Sequence, residues 1–223
     1  MPKNKGKIKA VIFDLDGVIV DSEPIESLSL EMLLKEYGKN PKPNKIGLLH
    51  TPGPSKNSYQ LLIKKYKIDE DLEKLKRRKR EIFQSFFVGK KVKPMTGFVK
   101  LINILKKNNI KTAIASNRFI EHIPIMLKSV KADIFFDIIV GPDEETKHKP
   151  APDIYLKCAK KLKTPPKECA VIEDTEAGVI SGKTAGMKVI VVPNRYTQDQ
   201  NFAKADKIVK SLSQITLPLI HSL

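Results

Sequence analysis

The sequence predicts an α/β fold in which helices cover both faces of a parallel β-sheet, with a block of helices inserted near the N-terminus. Short runs rich in β-branched residues alternate with helical patterns from residue 94 onwards. Residues 23–93 show helical patterns and no convincing strand. We therefore predict a Rossmann-like parallel sheet core, 1–22 and 94–223, and an inserted all-helical domain, 23–93.

The predicted elements follow one another in a regular order. The opening strand, 8–13, is a short apolar run that fits a buried strand. Further strands are predicted at 111–115, 136–140, 168–172 and 188–192, and the segments 206–209 and 212–220 close the pattern. Helices are predicted at 26–37, 58–66 and 69–88 in the insert, with a Pro/Gly-rich connection at 40–54, and at 119–130, 153–162 and 176–185 in the core. Another core helix ends at Asn108 and is expected to take Thr96 as its N-terminal cap.

The charge balance indicates which partners the chain attracts. The 223 residues carry 41 Lys+Arg against 25 Asp+Glu, a formal net charge of +16. Only five of the basic residues are arginine, the residue that binds nucleic-acid phosphates and bases bidentately, so a nucleic-acid partner is disfavoured. The lysine excess would instead attract small phosphorylated molecules.

The chain has the features of a cytoplasmic protein. No stretch approaches 18 apolar residues, and the basic, polar start does not resemble a signal peptide, so we expect no membrane association. Cys158 and Cys169 have no paired spacing and are predicted to be buried, reduced thiols. We also expect a monomer.

Four polar motifs adjoin the ends of predicted elements. They are Asp14/Asp16, Ser116-Asn117-Arg118, Lys147-His-Lys149-Pro150-Ala-Pro152-Asp153 and Glu173-Asp174. Each alone has an ordinary structural explanation, because serines and acidic residues often cap helices. Ligands bind at the carboxyl ends of the strands in parallel sheets, so the four together predict an active site at that edge.

The pair Asp14 and Asp16 is the most informative motif. Residues two apart on a strand face the same way, and Gly17 lets the backbone turn directly afterwards, so both carboxylates can converge on one point. A Gly-x-Gly dinucleotide fingerprint is absent, which argues against an oxidoreductase.

The order and wording of these motifs resemble the haloacid dehalogenase (HAD) superfamily, and within it the β-phosphoglucomutase and sugar-phosphatase-like group. D-x-D-G-V-x-x-D-S-E-P from Asp14, K-P-A-P-D from Lys149 and E-D-x-x-A-G from Glu173 carry the resemblance, which covers essentially the whole chain. It implies that the insert 23–93 is a helical cap domain that closes over substrate.

The resemblance implies a catalytic role for four residues. Asp14 would attack phosphorus to form an aspartyl-phosphate, and Asp16 would act as the general acid and base. Ser116 would donate to the phosphoryl oxygens, and Lys149 would offset negative charge on the phosphate and the nucleophile. Dehalogenases of this fold lack an acid two residues after the nucleophile, so Asp16 favours phosphate esters as substrates.

The resemblance also implies Mg²⁺ as the cofactor, since this cation prefers oxygen ligands. Asp14, the backbone carbonyl of Asp16, and Asp174 match the family's ligand positions. Glu173 would be either a further ligand or a support for the others.

Substrate-binding residues are predicted in the core and in the insert. Asn117 and Arg118 belong to the second motif, and Arg118 is the better candidate for contact with a substrate phosphate. In the insert, Glu23 belongs to the Glu-Pro sequence at 23–24, which is common among the phosphatases of this group. Lys79 falls on the position that reaches the active site in the mutases. The basic run 74–80 either contacts substrate or only solvent.

Three functions remain open at this point. The first is a Mg²⁺-dependent phosphatase, a phosphoric monoester hydrolase acting on a small phosphorylated metabolite such as a sugar phosphate. The second is a β-phosphoglucomutase-type isomerase that uses the same aspartyl-phosphate. The mutases carry threonine where Ser22 stands and histidine where Glu26 stands, which favours the phosphatase. The third is a catalytically idle nucleic-acid-binding protein, which the complete set of motifs argues against.

Overall fold

The chain divides into two compact units. The larger is Met1–Asp21 together with Val92–Leu223, and the smaller is Ser22–Lys91. The computed structural model describes residues 7–41, 56–88, 92–143 and 146–223. Most of the predicted connection 40–54 therefore lies outside the described residues.

A six-stranded sheet forms the centre of the larger unit. Its strands are β1 (Ala10–Phe13), β2 (Lys111–Ala115), β3 (Ile138–Val140), β4 (Cys169–Glu173), β5 (Lys188–Val191) and β6 (Lys207–Ile208). They are ordered β3-β2-β1-β4-β5-β6, and every neighbouring pair is parallel. The predicted α/β fold with a parallel sheet is confirmed, and all carboxyl ends of the strands lie at one edge.

Helices occur in both units. The smaller unit contains α1 (Glu23–Glu36), α2 (Lys56–Tyr66) and α3 (Leu72–Ser85). The larger unit contains α4 (Phe98–Lys107), α5 (Ile123–Ser129), α6 (Asp153–Lys161), α7 (Glu176–Thr184) and α8 (Leu217–His221). Within the described ranges, none of the helices combines the length and apolar character that crossing a membrane requires. Cys158 and Cys169 are buried free thiols, as predicted.

Alternate residues of β1 pack against helices on opposite faces of the sheet. Ile12 belongs to one buried cluster with Tyr155 of α6 and Val179 of α7. The next residue, Phe13, meets Phe98 of α4, with ring centroids 6.1 Å apart in an edge-to-face arrangement. The central strand is thus held from both sides, which fixes the position of the residues that follow it.

The smaller unit is organised around an apolar cluster shared by its helices. Leu34 of α1, Leu62 of α2 and Leu75 of α3 are all buried in this cluster. The carboxylate of Asp71 caps the first turn of α3 by accepting hydrogen bonds from two backbone N–H groups. In the described part of this unit all regular elements are helices, as the sequence predicts.

Several helix starts differ from the predictions, and the helices predicted from 26 and 69 begin at Glu23 and Leu72. Thr96 does not cap α4, because Gly97 occupies the N-cap position with a φ of 90°, in the left-handed region that favours glycine. The predicted helix 119–130 begins as a 3-10 turn, Ile120–His122, and continues as α5. Pro124 lies in the first turn of α5, where its missing N–H costs no hydrogen bond. The predicted strand boundaries agree with the structure to within two residues.

Candidate active site at the carboxyl edge of the sheet

Asp14 and Asp16 lie where β1 ends. The N–H of the buried Asp14 donates to the carbonyl of Ile172 at 2.9 Å, so the sheet still fixes its backbone. Gly17 then turns the chain with a φ of 74°. A Cβ at this position would also overlap the carboxylate of Asp174, so both the turn and the close approach require glycine.

The ammonium group of Lys149 connects the ends of three strands. Its Nζ donates to Asp14 Oδ1 at 2.5 Å, to Glu173 Oε1 at 2.6 Å and to the carbonyl oxygen of Ala115 at 2.8 Å. The backbone N–H of Lys149 donates to Asn117 Oδ1 at 3.0 Å, which joins the third motif to the second. Burial alone would lower the pKa of Lys149, but the attraction of the two carboxylates raises that pKa above its ordinary value. Lys149 is therefore a buried cation.

Glu173 is fixed by hydrogen-bond donors on both of its oxygens. Oε1 accepts from Lys149 and from the hydroxyl of Tyr155, each at 2.6 Å. Oε2 accepts from the N–H of Asp174 and from the hydroxyl of Thr175, the N-cap residue of α7, each at 3.1 Å. Gly178 leaves room for this carboxylate, because a Cβ there would overlap it.

Three buried carboxylates form an acidic cluster. One oxygen from each of Asp14, Glu173 and Asp174 can be chosen so that all three lie within 4.8 Å of one another. Burial raises the pKa of Asp14 to about 7, with Lys149 opposing this shift and repulsion from Glu173 and Asp16 adding to it. Burial and the neighbouring carboxylates also raise the pKa of Asp174 well above its ordinary value. A divalent cation would relieve this excess of negative charge, and oxygen donors of this kind suit Mg²⁺.

The second motif brings a hydroxyl and a guanidinium group to the same edge. Ser116 is buried, and its N–H donates to the carbonyl of Val140 at 3.1 Å. Its Oγ accepts from the N–H of Arg118 at 3.1 Å. The guanidinium of Arg118 donates to both oxygens of Asp16, so the second motif is connected to the first.

The substrate-binding residues predicted in the insert lie in the smaller unit. Glu23 is the first residue of α1. Lys79 is only 7% exposed, and its ammonium forms an ion pair with Glu26. The same ammonium lies 5.1 Å from the ring centroid of Phe83. Lys79 thus joins α3 to α1, and a part for Glu23 or Lys79 in substrate binding stays a prediction.

Other members of the basic run 74–80 are more exposed and paired with acids within the same unit. These pairs are Lys74 with Glu70, Lys76 with Glu73, Arg77 with Glu81, and Arg78 with Glu36 and Glu81. Such pairs are typical of a solvated helix face. Lys79 differs from them because it is buried.

Two residues of the site were missed by the sequence motifs. The hydroxyl of Tyr155 donates to Glu173, and Asn194 Nδ2 donates to Asp174 Oδ2 at 2.8 Å. Asn194 follows β5 at the carboxyl edge of the sheet, which is the signal that identified the other motifs. A single asparagine in a loop is common, however, and Tyr155 fits the apolar pattern of α6.

Similarity to known proteins shows the family to which the chain belongs. The sequence profile of the haloacid dehalogenase-like hydrolases matches residues 11–192, which contain all four motifs. The chain is 33% identical to β-phosphoglucomutase of Bacillus subtilis over 96% of this chain and 94% of that protein. It is 29% identical to the phosphorylated carbohydrates phosphatase of Thermotoga maritima over 82% of this chain and 84% of that protein.

A third relative is longer than this chain. The identity to the bifunctional riboflavin kinase/FMN phosphatase of Arabidopsis thaliana is 32% over 93% of this chain, which spans about half (54%) of that protein. Among solved structures, CbbY from Rhodobacter sphaeroides in complex with phosphate gives a TM-score of 0.82 at 25% identity, covering 93% of this chain and 96% of that one. The chain therefore belongs to the haloacid dehalogenase-like hydrolase family, close to its β-phosphoglucomutase, CbbY and sugar-phosphatase members.

Proposed function

We propose that this protein is a Mg²⁺-dependent phosphatase that hydrolyses a small phosphorylated metabolite, in particular a sugar phosphate, through an aspartyl-phosphate on Asp14. One observation carries the proposal: the buried carboxylate of Asp14 contacts the ammonium of Lys149 and belongs to an acidic cluster that suits Mg²⁺. Membership of a hydrolase family supports it.

Asp14 is the proposed nucleophile. One oxygen of its carboxylate attacks phosphorus, and the bond from phosphorus to the ester oxygen breaks, so that the phosphoryl group is transferred to Asp14. Lys149 donates to Oδ1, which leaves Oδ2 for the attack. The same ammonium and the hydroxyl of Ser116 would stabilise negative charge on the phosphoryl oxygens.

Asp16 is the proposed general acid and base. It would protonate the ester oxygen as the alcohol leaves. It would then take a proton from the water that attacks the phosphorus of the aspartyl-phosphate, which releases phosphate and regenerates Asp14. Arg118 contacts both oxygens of Asp16, so we expect this contact to change when Asp16 transfers its proton.

The acidic cluster would hold Mg²⁺. Asp14, Asp174 and the backbone carbonyl of Asp16 are the proposed ligands, and the cation would neutralise charge on the phosphoryl group during transfer. Glu173 accepts two hydrogen bonds on Oε1 and three on Oε2, which favours a supporting role over direct ligation. Its fixed charge would keep Lys149 protonated.

The proposed substrate class rests on charge and on relatives. The formal net charge of +16 attracts anions such as phosphate esters. The relative from Thermotoga maritima is a phosphatase of phosphorylated carbohydrates, and CbbY was solved in complex with phosphate. A cytoplasmic location and a monomeric state stay predictions.

Phosphate release from a panel of phosphorylated sugars and other metabolites tests the proposal. Wild type should release phosphate with Mg²⁺ and lose this activity when a chelator removes the metal. Asp14→Asn keeps the shape of the side chain but is a far weaker nucleophile, and should release none. Undiminished release by Asp14→Asn, or no release by wild type from any ester, would contradict the phosphatase proposal.

A β-phosphoglucomutase activity is the second candidate, because the Bacillus subtilis relative at 33% identity carries that name. The same aspartyl-phosphate would then pass its phosphoryl group to a second sugar hydroxyl rather than to water. Incubation with β-glucose 1-phosphate and a glucose bisphosphate primer distinguishes the two activities. A mutase forms glucose 6-phosphate with little free phosphate, whereas a phosphatase releases phosphate.

A further inference from the structure

We propose that Asn194 is a positioning residue of the metal site, whose side-chain amide holds the carboxylate of Asp174 in the orientation that Mg²⁺ requires. This inference rests on the proposed Mg²⁺-dependent function and extends it to the loop that follows β5. Neither Asn194 nor this loop belongs to the four sequence motifs.

Both ends of the Asn194 amide are engaged. Nδ2 donates to Asp174 Oδ2 at 2.8 Å, and Oδ1 accepts from the N–H of Tyr196 at 2.8 Å. The second contact fixes which end of the amide faces Asp174. Asp174 itself is only 4% exposed, so water has little access to replace this donor.

The contact matters because of where Asp174 lies. Its carboxylate belongs to the cluster in which Asp14 and Glu173 also supply oxygens, all within 4.8 Å. Loss of Asn194 would remove a side-chain hydrogen bond that holds the carboxylate of Asp174 in its present orientation. One oxygen held by Asn194 leaves the other for the metal. Groups that orient metal ligands in this way commonly contribute to metal affinity.

The loop itself is braced in this position. The N–H of Asn194 donates to Thr197 Oγ1 at 3.0 Å, and the N–H of Gln198 donates to the carbonyl of Asn194 at 3.0 Å. Further along, Gln200 Oε1 accepts from the N–H of Glu176 at 2.7 Å, at the start of α7. The loop is therefore attached to the helix that directly follows the acidic motif.

Gly17 of the first motif gives an independent observation for the same contact. A Cβ on Gly17 would overlap the carboxylate of Asp174 and lie 2.9 Å from Asn194 Nδ2. Glycine at this position thus leaves space for the carboxylate and its amide partner together. Asn194, Asp174 and Gly17 form one packed group, contributed by three separate segments.

The competing explanation is that Asn194 only shapes a turn. Asn201, in the same loop region, provides the comparison. Its Oδ1 accepts from the N–H of Ala203 at 3.0 Å, two residues further on, as that of Asn194 does from Tyr196. Asn201 is exposed, so Asn201→Ala removes an equivalent turn contact at an exposed position.

Direct metal titration of the substrate-free, full-length protein tests the proposal. Mn²⁺ serves as the probe, with unbound Mn²⁺ measured by electron paramagnetic resonance. Asn194→Ala should raise the dissociation constant for Mn²⁺ by about 10- to 100-fold, because the metal binds more weakly. Asn194→Ser keeps a short oxygen for the turn but cannot reach Asp174, so it should weaken binding similarly. Asn201→Ala should bind like wild type.

The outcomes separate this inference from the proposed function. Wild-type affinity in Asn194→Ser, with the fold verified by circular dichroism, would overturn the positioning role alone. An equal loss in Asn201→Ala would overturn it as well, since the effect would then belong to the turns. If wild type itself bound no Mn²⁺, the metal-dependent function would fail together with this inference.

Discussion

Arg118 binds both carboxylate oxygens of Asp16, with Nε 2.9 Å from Oδ2 and Nη2 2.7 Å from Oδ1. This bidentate geometry matches the planar fork of a guanidinium group to a carboxylate and fixes the direction of both. The proposed general acid of the reaction is thus held by a residue of the motif that contains the proposed phosphate-binding Ser116. The side chains of Arg118 and Asp16 are 18% and 27% exposed, so the pair is partly open to solvent.

Removing the guanidinium group of Arg118 should impair proton transfer by Asp16 more than phosphoryl transfer to Asp14. We expect Arg118→Met to lower kcat for a sugar phosphate by about 100-fold, because Asp16 would no longer be positioned to protonate a poor leaving group when the contact opens. The kcat for p-nitrophenyl phosphate should fall much less, since nitrophenolate leaves without a proton. Steady-state kinetics on both esters measures the difference.

Two further variants complete that experiment. Arg118→Lys keeps the positive charge but loses the bidentate contact, so its kcat for the sugar phosphate should be little higher than that of Arg118→Met. Arg195→Met removes an exposed arginine that stacks on Tyr196, with 4.6 Å to the ring centroid, and should leave both rates unchanged. A rise in KM for both esters with kcat intact would show instead that Arg118 only binds the substrate phosphate.

The raised pKa of Asp14 predicts how stability depends on pH without metal. This pKa is about 7 in the folded protein against an ordinary value of 3.8, so between these values the folded state binds a proton that the unfolded chain releases. The free energy of unfolding should therefore fall as pH rises through this window, by up to about 1.4 kcal/mol per pH unit from this residue. Urea unfolding in a chelating buffer measures it.

Asp14→Asn isolates the contribution of this one residue. The stability of wild type relative to Asp14→Asn should decline with rising pH in the same window and level off above about pH 7. Saturating Mg²⁺ should remove the decline in wild type, because a bound cation favours the ionised carboxylate. A relative stability that increases with pH would contradict the raised pKa.

Loss of the buried ammonium should destabilise the core. Lys149→Met leaves Asp14 and Glu173 facing each other without a cation, and removal of one partner from a buried ion pair typically costs about 3–5 kcal/mol. We expect a loss of this size in the free energy of unfolding at neutral pH, together with loss of phosphatase activity. Lys147→Met, at an exposed position of the same motif, is the matched control and should match wild type. Equal stability of the two variants would rule out the central role of Lys149.

The buried pair of Lys79 and Glu26 allows structural and substrate-binding roles to be separated. Lys79→Met alone should destabilise the protein by about 3 kcal/mol, because it removes the ammonium that forms an ion pair with the carboxylate of Glu26 at a position with little exposure to solvent. The double variant Lys79→Met with Glu26→Met should recover most of that loss. Arg77→Met, whose side chain is 67% exposed, should change stability by less than about 0.5 kcal/mol.

Kinetics of the recovered double variant then address the substrate. If Lys79 binds substrate, KM should rise for the sugar phosphate and stay constant for p-nitrophenyl phosphate. Unchanged KM for both esters would assign Lys79 to the structure of the smaller unit alone.

The fold and the four motifs could be predicted because their signals are local. A strand such as Val11–Phe13 is an unbroken apolar run, and the acids that end it are adjacent in sequence. The parallel arrangement then places every strand end at one edge, so motifs from distant parts of the chain converge there. The motifs that contain Asp14, Ser116 and Asp174 could be located in this way, and the parts of these residues in catalysis stay predictions.

The remaining contacts depend on distances that sequence does not encode. The pairing of Arg118 with Asp16 joins residues 102 positions apart, and neither motif alone indicates that these two side chains are in contact. Lys79 and Glu26 meet because two helices pack side by side. Gly97 displaced Thr96 as the helix cap because the chain turns there with a left-handed φ, which the sequence pattern does not reveal.

Detection of the covalent intermediate tests the central claim, that Asp14 is the nucleophile of a phosphatase. Asp16→Asn should still be phosphorylated by p-nitrophenyl phosphate with Mg²⁺ but should hydrolyse the phospho-enzyme slowly. Acid quenching, borohydride reduction and peptide mass spectrometry should then find homoserine at position 14, and none in Asp14→Asn. Phosphate release without any modification at Asp14, or modification of another residue, would contradict the account.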